Sequence, residues 1–173
     1  MSIRKHFITI KRHRREVRKA CFKCGLYWRG LVHDLSKYSY VEFFENAKYY
    51  VEGRSPISNC RAQTGKSMAW LNHKAKNRHH PEYWIDNDNY VLMPYKYAVE
   101  SACDYIAAGK TYTKNYSNSE PYEYWSRKKE NFKVNKKIYA FYEKVFSDLE
   151  KNGEDAILNK KYMIKTYYDC IED

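Results

Sequence analysis

Glycine and proline are scarce in this chain, with six and four among 173 residues. So few turn formers argue against a turn-rich all-β protein and leave helices as the expected element. No apolar run approaches the roughly 18 residues that a membrane-crossing helix needs. The basic start MSIRKHFITIKRHRR holds an apolar stretch too short for a signal peptide, so the expected compartment is the cytoplasm and no membrane partner is expected. No glycine-rich phosphate loop is present. Gly65-Lys66-Ser67 has the end of one without its upstream glycine. The five cysteines are odd in number and scattered, which suggests reduced thiols. Cys21 and Cys24 form a C-x-x-C with no second pair to complete a zinc site. Both fall at apolar helical positions, so core thiols are expected.

Aromatic residues are plentiful at 17%, including 19 Tyr, and oppose disorder despite 31% charged residues. The length suits one domain with a real core. The formal net charge is +11. Such a balance attracts phosphates, nucleic acid or other anions, although a solvated lysine-rich surface gives the same number.

Periodicity predicts a helix over about 8–24, with His13 on the stripe formed by Val17, Ala20, Cys21 and Cys24. Leu26 to Val32 forms a short apolar segment ending in His33-Asp34. Ser39-Tyr-Val-Glu42 has the form of a capping box and opens a helix expected to turn Val41, Phe44, Ala47 and Val51 inward. Residues 54–65 read as a surface loop. A helix from about Lys66 carries Met68, Ala69, Trp70 and His73 and stops by Pro81. Residues 82–92 read as irregular. Pro94 opens a helix to about Ala108, on which Tyr97, Ser101, Asp104 and Ala108 share a face. Residues 110–120 read as a loop. Ser119 begins another helix, Ile138 to Leu149 is strongly amphipathic, and a last helix covers about 154–171. The expected architecture is an all-α, single-domain helical bundle without a convincing strand.

The chemistry-bearing residues are His13, His33, Asp34, His73, His79, His80 and Asp104, in the order H…HD…H…HH…D. Mixed imidazole and carboxylate ligands suit one or two divalent transition metals: Mn, Fe, Ni, Co or Zn. Singly, each residue has an ordinary reading. His13 can be a satisfied core histidine. Asp34 or Ser36 can cap a helix. Asp104 can pair with Lys96 or Lys110. His73 and His80 are seven apart and share a face if their helix continues, which leaves open whether His79 or His80 is the ligand. Arg12, Arg14 and Arg15 read as ordinary surface.

The order H…HD…D of His13, His33-Asp34 and Asp104 resembles the HD superfamily of metal-dependent phosphohydrolases. His33-Asp34-Leu-Ser-Lys37 is similar to its H-D-x-x-K segment, and Asn77-Arg-His79-His80-Pro81 to the His-His segment of its two-metal branch. The run from about residue 10 to 108 also resembles a small bacterial and phage family placed near HD proteins. The C-terminal helices, about 119–171, carry no such likeness. The resemblance implies an all-helical HD-type fold. It implies a first metal on His13, His33, Asp34 and Asp104, with Asp34 bridging to a second on His73 and His79 or His80. The interval between His73 and His79 is shorter than is usual in the two-metal branch, so one or two metals remain open.

The function expected from this is hydrolysis of a nucleotide or other phosphoester by a metal-activated water. Asp34 and Lys37 are the expected catalytic residues, with Lys37, Lys74 and Arg78 as candidates to meet substrate phosphate. Two other classes compete. HD-like proteins with an H…HD…H…H…D order include di-iron oxygenases of small molecules. A non-enzymatic nucleic-acid or protein binder would use the basic charge and the interleaved Tyr and Lys of Tyr112 to Tyr116 and Tyr122 to Lys129.

Overall fold

The computed structural model describes residues 2–172. Ten α-helices make up nearly all regular structure among them: α1 (Ile3–Lys23), α2 (Tyr27–Val32), α3 (Tyr40–Lys48), α4 (Pro56–Thr64), α5 (Met68–Lys76), α6 (Tyr95–Tyr112), α7 (Glu120–Lys128), α8 (Lys136–Asn152), α9 (Glu154–Ile157) and α10 (Lys160–Glu172). The fold is a single all-α domain, as the scarcity of turn formers predicted. None of the described helices is long and apolar enough to cross a membrane.

α6 lies at the centre and packs on α1, α7, α8 and α10. Val99, Ala102, Cys103 and Ile106 join Val17 and Cys21 of α1 in a core with Trp125 of α7 and Phe141, Tyr142, Phe146 and Leu149 of α8. Large side chains such as these each stabilise by about 1.5–3 kcal/mol when fully buried. The amphipathic stripe of α8 is therefore the main anchor of the C-terminal helices. Cys21 and Cys24 are core thiols, as their positions suggested, and Cys24 Sγ stands 4.0 Å from Cys103 Sγ.

Several local expectations need correction. α1 begins at Ile3, earlier than predicted, and buries His6 and Ile10 as well as His13 and Val17. Residues 54–65 are not a loop but hold α4, capped by Ser55, whose Oγ accepts from the Ser58 N–H, and closed by Gly65 at φ 75°. A proline at the first helical position and a serine cap are ordinary helix-start signals, hidden here by a polar composition. α3 stops at Lys48 and is rotated from its expected orientation. Val41, Phe44 and Val51 are each more than 40% exposed, and Glu42, Asn46 and Ala47 are buried. Residues 82–92 include a two-residue antiparallel hairpin, Ile85–Asp86 with Asn89–Tyr90. α6 continues to Tyr112, into the predicted loop. The last helical segment breaks at Leu158-Asn159 into α9 and α10.

Candidate metal centre

The His33-Asp34 turn is held by three constraints. α2 approaches α1 so closely at Gly30 that an added Cβ would stand 3.0 Å from Cys21 Cβ. Arg14 Nε donates to the His33 carbonyl at 2.8 Å, and its Nη2 donates to the Leu31 carbonyl at 2.9 Å. Asp34 then takes a left-handed backbone, φ 54°, which is uncommon for a non-glycine residue and turns its carboxylate inward. Arg14 is thus not ordinary surface. It ties the turn to the helix that carries His13. Asp34 stands at the start of the 3-10 turn Leu35–Tyr38, yet its side chain makes no capping bond.

The two oxygens of Asp34 face different groups. Oδ2 lies 3.3 Å from His33 Nε2 and 3.7 Å from His13 Nε2. Oδ1 lies 3.3 Å from His73 Nε2 and 3.5 Å from His79 Nε2. Asp104 joins the first side, its Oδ1 2.9 Å from His13 Nε2 and 3.6 Å from His33 Nε2. Its expected alternative partner, Lys110, pairs instead with Glu154. Two groups therefore converge closely enough to hold a metal ion: His13, His33, Asp34 and Asp104, and Asp34, His73, His79 and His80. α5 ends at Lys76 with Asn77 as its cap. The chain then turns back, so that both His79 and His80 reach the cluster, rather than one of them as a continuous helix would require.

Outer carboxylates aim the rings. Glu42 Oε2 lies 2.7 Å from His73 Nδ1. Glu100 Oε1 lies 3.0 Å from His33 Nδ1 and 3.4 Å from His79 Nδ1. Arg29 grips Glu100 from behind with Nε and Nη2 at 2.6 and 3.0 Å. Each ring thereby turns Nε2 toward Asp34, the arrangement by which carboxylates fix the tautomer of ligating histidines. His33, His79 and Glu100 converge as a third group. Because Arg29 already neutralises Glu100, these atoms read as the outer support. Glu45 anchors the helix bearing His73, accepting from Ser67 Oγ and from the Met68 and Ala69 N–H groups.

Glu42, Glu100 and Arg29 were not singled out by sequence. The Ser39/Glu42 pair correctly marked a helix start, but no capping bond forms and Glu42 serves His73. Glu100 sits four residues before Asp104 on α6, and that one-turn spacing was its only signal.

The site is short of hydrogen-bond partners. Asp34 Oδ1, His33 Nε2, His79 Nε2 and His80 Nε2 are buried without one of good geometry, and Asp34 Oδ2 and His13 Nε2 have ion-pair contacts, with Lys37 Nζ at 2.6 Å and Asp104 Oδ1 at 2.9 Å. Buried polar groups in native proteins are nearly always satisfied, so this cluster suits a bound cation. Burial opposes the Asp34 charge, but His33, Lys37 and His73 outweigh it and hold the carboxyl well below its usual range. Burial likewise opposes ionised Asp104, and contacts with His13 and His33 lower it. Burial disfavours a charged His33 too, yet Asp34, Asp104 and Glu100 hold its pKa well above the usual value. Burial, then Lys37, lowers His13. Burial, then His79 and His73, lowers His80. Glu100 is held down at about 2, because His33, His79 and Arg29 overcome its burial. Ionised acids with neutral imidazoles are the protonation states that metal ligation requires. His33, in contrast to His13 and His80, would have to give up a proton on ligation.

A cavity of about 680 Å³ opens beside the cluster. His13, His73, His80, Asp104 and Lys37 line it, and Lys37 Nζ lies 2.6 Å from Asp34 Oδ2. Lys74 and Arg78, the other expected phosphate contacts, do not line it. Arg78 is exposed and sits over the Tyr83 ring. The cations that join Lys37 are Arg54, Arg61, Arg127 and Lys128. Part of the tyrosine-rich segment is engaged within the molecule, since Tyr122 Oη and Trp125 Nε1 both donate to Glu143, while Tyr124, Arg127 and Lys128 stay exposed.

Fold and site together define an all-α protein whose buried His/Asp groups could hold metal ions on either side of one shared carboxylate. The chain belongs to the family described as Family of unknown function (DUF5662), whose model matches residues 2–148. No curated protein and no solved structure matches it.

Proposed function

We propose that this protein is a metal-dependent phosphohydrolase of the HD type, acting on a nucleotide or another phosphoester. One observation carries the reading. The two oxygens of Asp34 face separate histidine groups, and His13, His73, His80 and Asp104 of those groups line a cavity together with Lys37. His13, His33, Asp34 and Asp104 would hold one ion; Asp34, His73 and His79, with His80 beside it, would hold a second. Bound there, a divalent transition metal such as Mn, Fe, Ni, Co or Zn would lower the pKa of its water and so supply a nucleophile at neutral pH.

The chain's own residues do the rest. Glu42 and Glu100 keep the Nε2 atoms of His73, His33 and His79 pointed inward. Arg14 keeps the His33-Asp34 turn in its left-handed conformation. Lys37 brings a point cation to the cavity wall, where it meets phosphoryl charge. A second reading, an HD-like di-iron oxygenase, is favoured by the histidine-rich groups sharing one carboxylate, which suit iron equally.

Metal content per chain, measured by plasma mass spectrometry on wild type and on His33→Ala/Asp34→Ala, tests the site. Near one or two transition metals in wild type, lost in the variant, is the expected result. Full metal in the variant, or none in either after incubation with Mn, Fe, Ni and Zn, overturns the assignment. Turnover of phosphoesters without colour or oxygen uptake separates the hydrolase from the oxygenase.

A further inference from the structure

The cavity reaches well beyond the metal cluster. One wall is α4 and the residues before it, carrying Arg54, Ser55, Ser58 and Arg61. Another part of the lining is α7, carrying Tyr124, Arg127 and Lys128. Arg61 lies over the Trp70 ring at 4.9 Å, and Lys128 over the Tyr124 ring at 4.2 Å. These contacts hold two of the cations against flat apolar surfaces while leaving their charge available. Among the described residues, no carboxylate pairs with Arg54, Arg61, Arg127 or Lys128, whereas Lys37 at the floor is paired with Asp34. Glu82 and Glu120 also line the cavity, as does Asp104 within the metal cluster. The cations at the mouth come from the turn before α4, from α4 and from α7, and are all exposed.

We infer that the mouth of this cavity is a second anion subsite, so that the ligand carries at least two separated phosphate-like groups. One group sits at the floor, beside Lys37 and the metal ligands. The other is gripped by Arg54 and Arg61 on one part of the lining and Arg127 and Lys128 on another. Arginine suits this task because its planar fork meets phosphate oxygens in pairs. A ligand that reaches both places gains by effective concentration. Lys74 and Arg78, although close in sequence to the histidines, take no part.

This subsite rests on reading the floor as the place of phosphoester hydrolysis, and the two are tested apart. The probes are non-hydrolysable alkane bisphosphonates of graded spacer length, each against the matched monophosphonate, measured by calorimetry on the intact metal-loaded protein in physiological salt. At one spacer the bisphosphonate binds wild type tighter by about tenfold or more. Arg54→Ser/Arg127→Ser removes that advantage and keeps both the monophosphonate affinity and the metal content. Lys76→Ser/Lys161→Ser, an equal charge loss away from the cavity, keeps the advantage. No gain at any spacer, a gain that survives the arginine variant, or an equal fall in both variants overturns the subsite. Wild-type protein that holds no metal sinks the hydrolase reading. In that case, arginine-dependent bisphosphonate binding still supports the anion site at the mouth.

Discussion

The two sides of α6 are buried by opposite chemistry. Toward α8, Val99, Ala102 and Ile106 meet Phe141, Tyr142 and Phe146 in a closed apolar interior. Most polar atoms there have partners: Tyr142 Oη donates to Ser101 Oγ, Tyr167 Oη to the Met93 carbonyl, and Trp125 Nε1 to Glu143, while Tyr95 Oη and Tyr116 Oη lack one. Toward the N-terminal helices, Glu100 and Asp104 meet five histidines and Asp34, and many buried nitrogens and oxygens lack a partner. Among the described residues beyond Tyr116, no buried side-chain nitrogen or oxygen is left unsatisfied. One side is arranged to hold the fold. The other gathers buried His and Asp groups that could hold a metal ion, and burying such polar groups has a cost that the apolar side must offset.

The sharpest way to break this comparison is a cavity in the apolar side. Phe141→Ala, at a fully buried position, is expected to cost about 3–5 kcal/mol in denaturant unfolding and to leave metal per folded chain unchanged. Loss of metal binding at equal folded population would show that the two sides are not independent. Next in size, saturating metal at roughly a thousandfold above its dissociation constant raises stability by about 4 kcal/mol. Asp34→Asn abolishes that increment in thermal unfolding, because both groups share this carboxylate.

The outer acids sharpen the polar side. Glu100→Gln lowers metal affinity by about 10–100-fold for both ions, because Glu100 supports His33 and His79. Glu42→Gln does so only for the ion on His73. Titration with a metal-sensitive dye separates the two patterns, and equal losses from both variants would contradict this division. Smallest is Glu143→Gln in the apolar half, at about 1 kcal/mol or less after solvent screening. Burial raises the Glu143 pKa, but bonds from Trp125, Tyr122 and Lys129 outweigh this and hold it below its ordinary value of 4.5. Its contribution is therefore fully present above pH 4.5 and fades as pH falls through the folded-state value, so wild type and variant converge in acid.

The metal-ligand candidates were legible jointly and not one by one, because five of the six histidines fall in the order H…HD…H…HH…D and an adjacent His-Asp pair is chemically distinctive. Their partners were not. Glu42 and Glu100 are two of many acids in a highly charged chain, and only the packing of α3 and α6 shows that they are fully buried. Val41 and Phe44 misled for the opposite reason. Hydrophobicity alone predicted that they face the core, but the polar cluster claims that side of α3. Lys74 and Arg78 were placed near phosphate by sequence proximity, and the helix end at Asn77 turns the chain so that the histidines enter the site without them.

Sequence alone determined that this chain is helical and carries histidines and aspartates of a metal-ligating kind, because composition and helical periodicity are local properties. Tertiary structure alone decided which atom of each ring faces Asp34, that both His79 and His80 arrive, and that the cations of α4 and α7 share one cavity with them. Those outcomes depend on contacts between residues as distant as His33 and Glu100. Such pairings follow from how α1, α2, α3 and α6 pack together, and no local pattern encodes them.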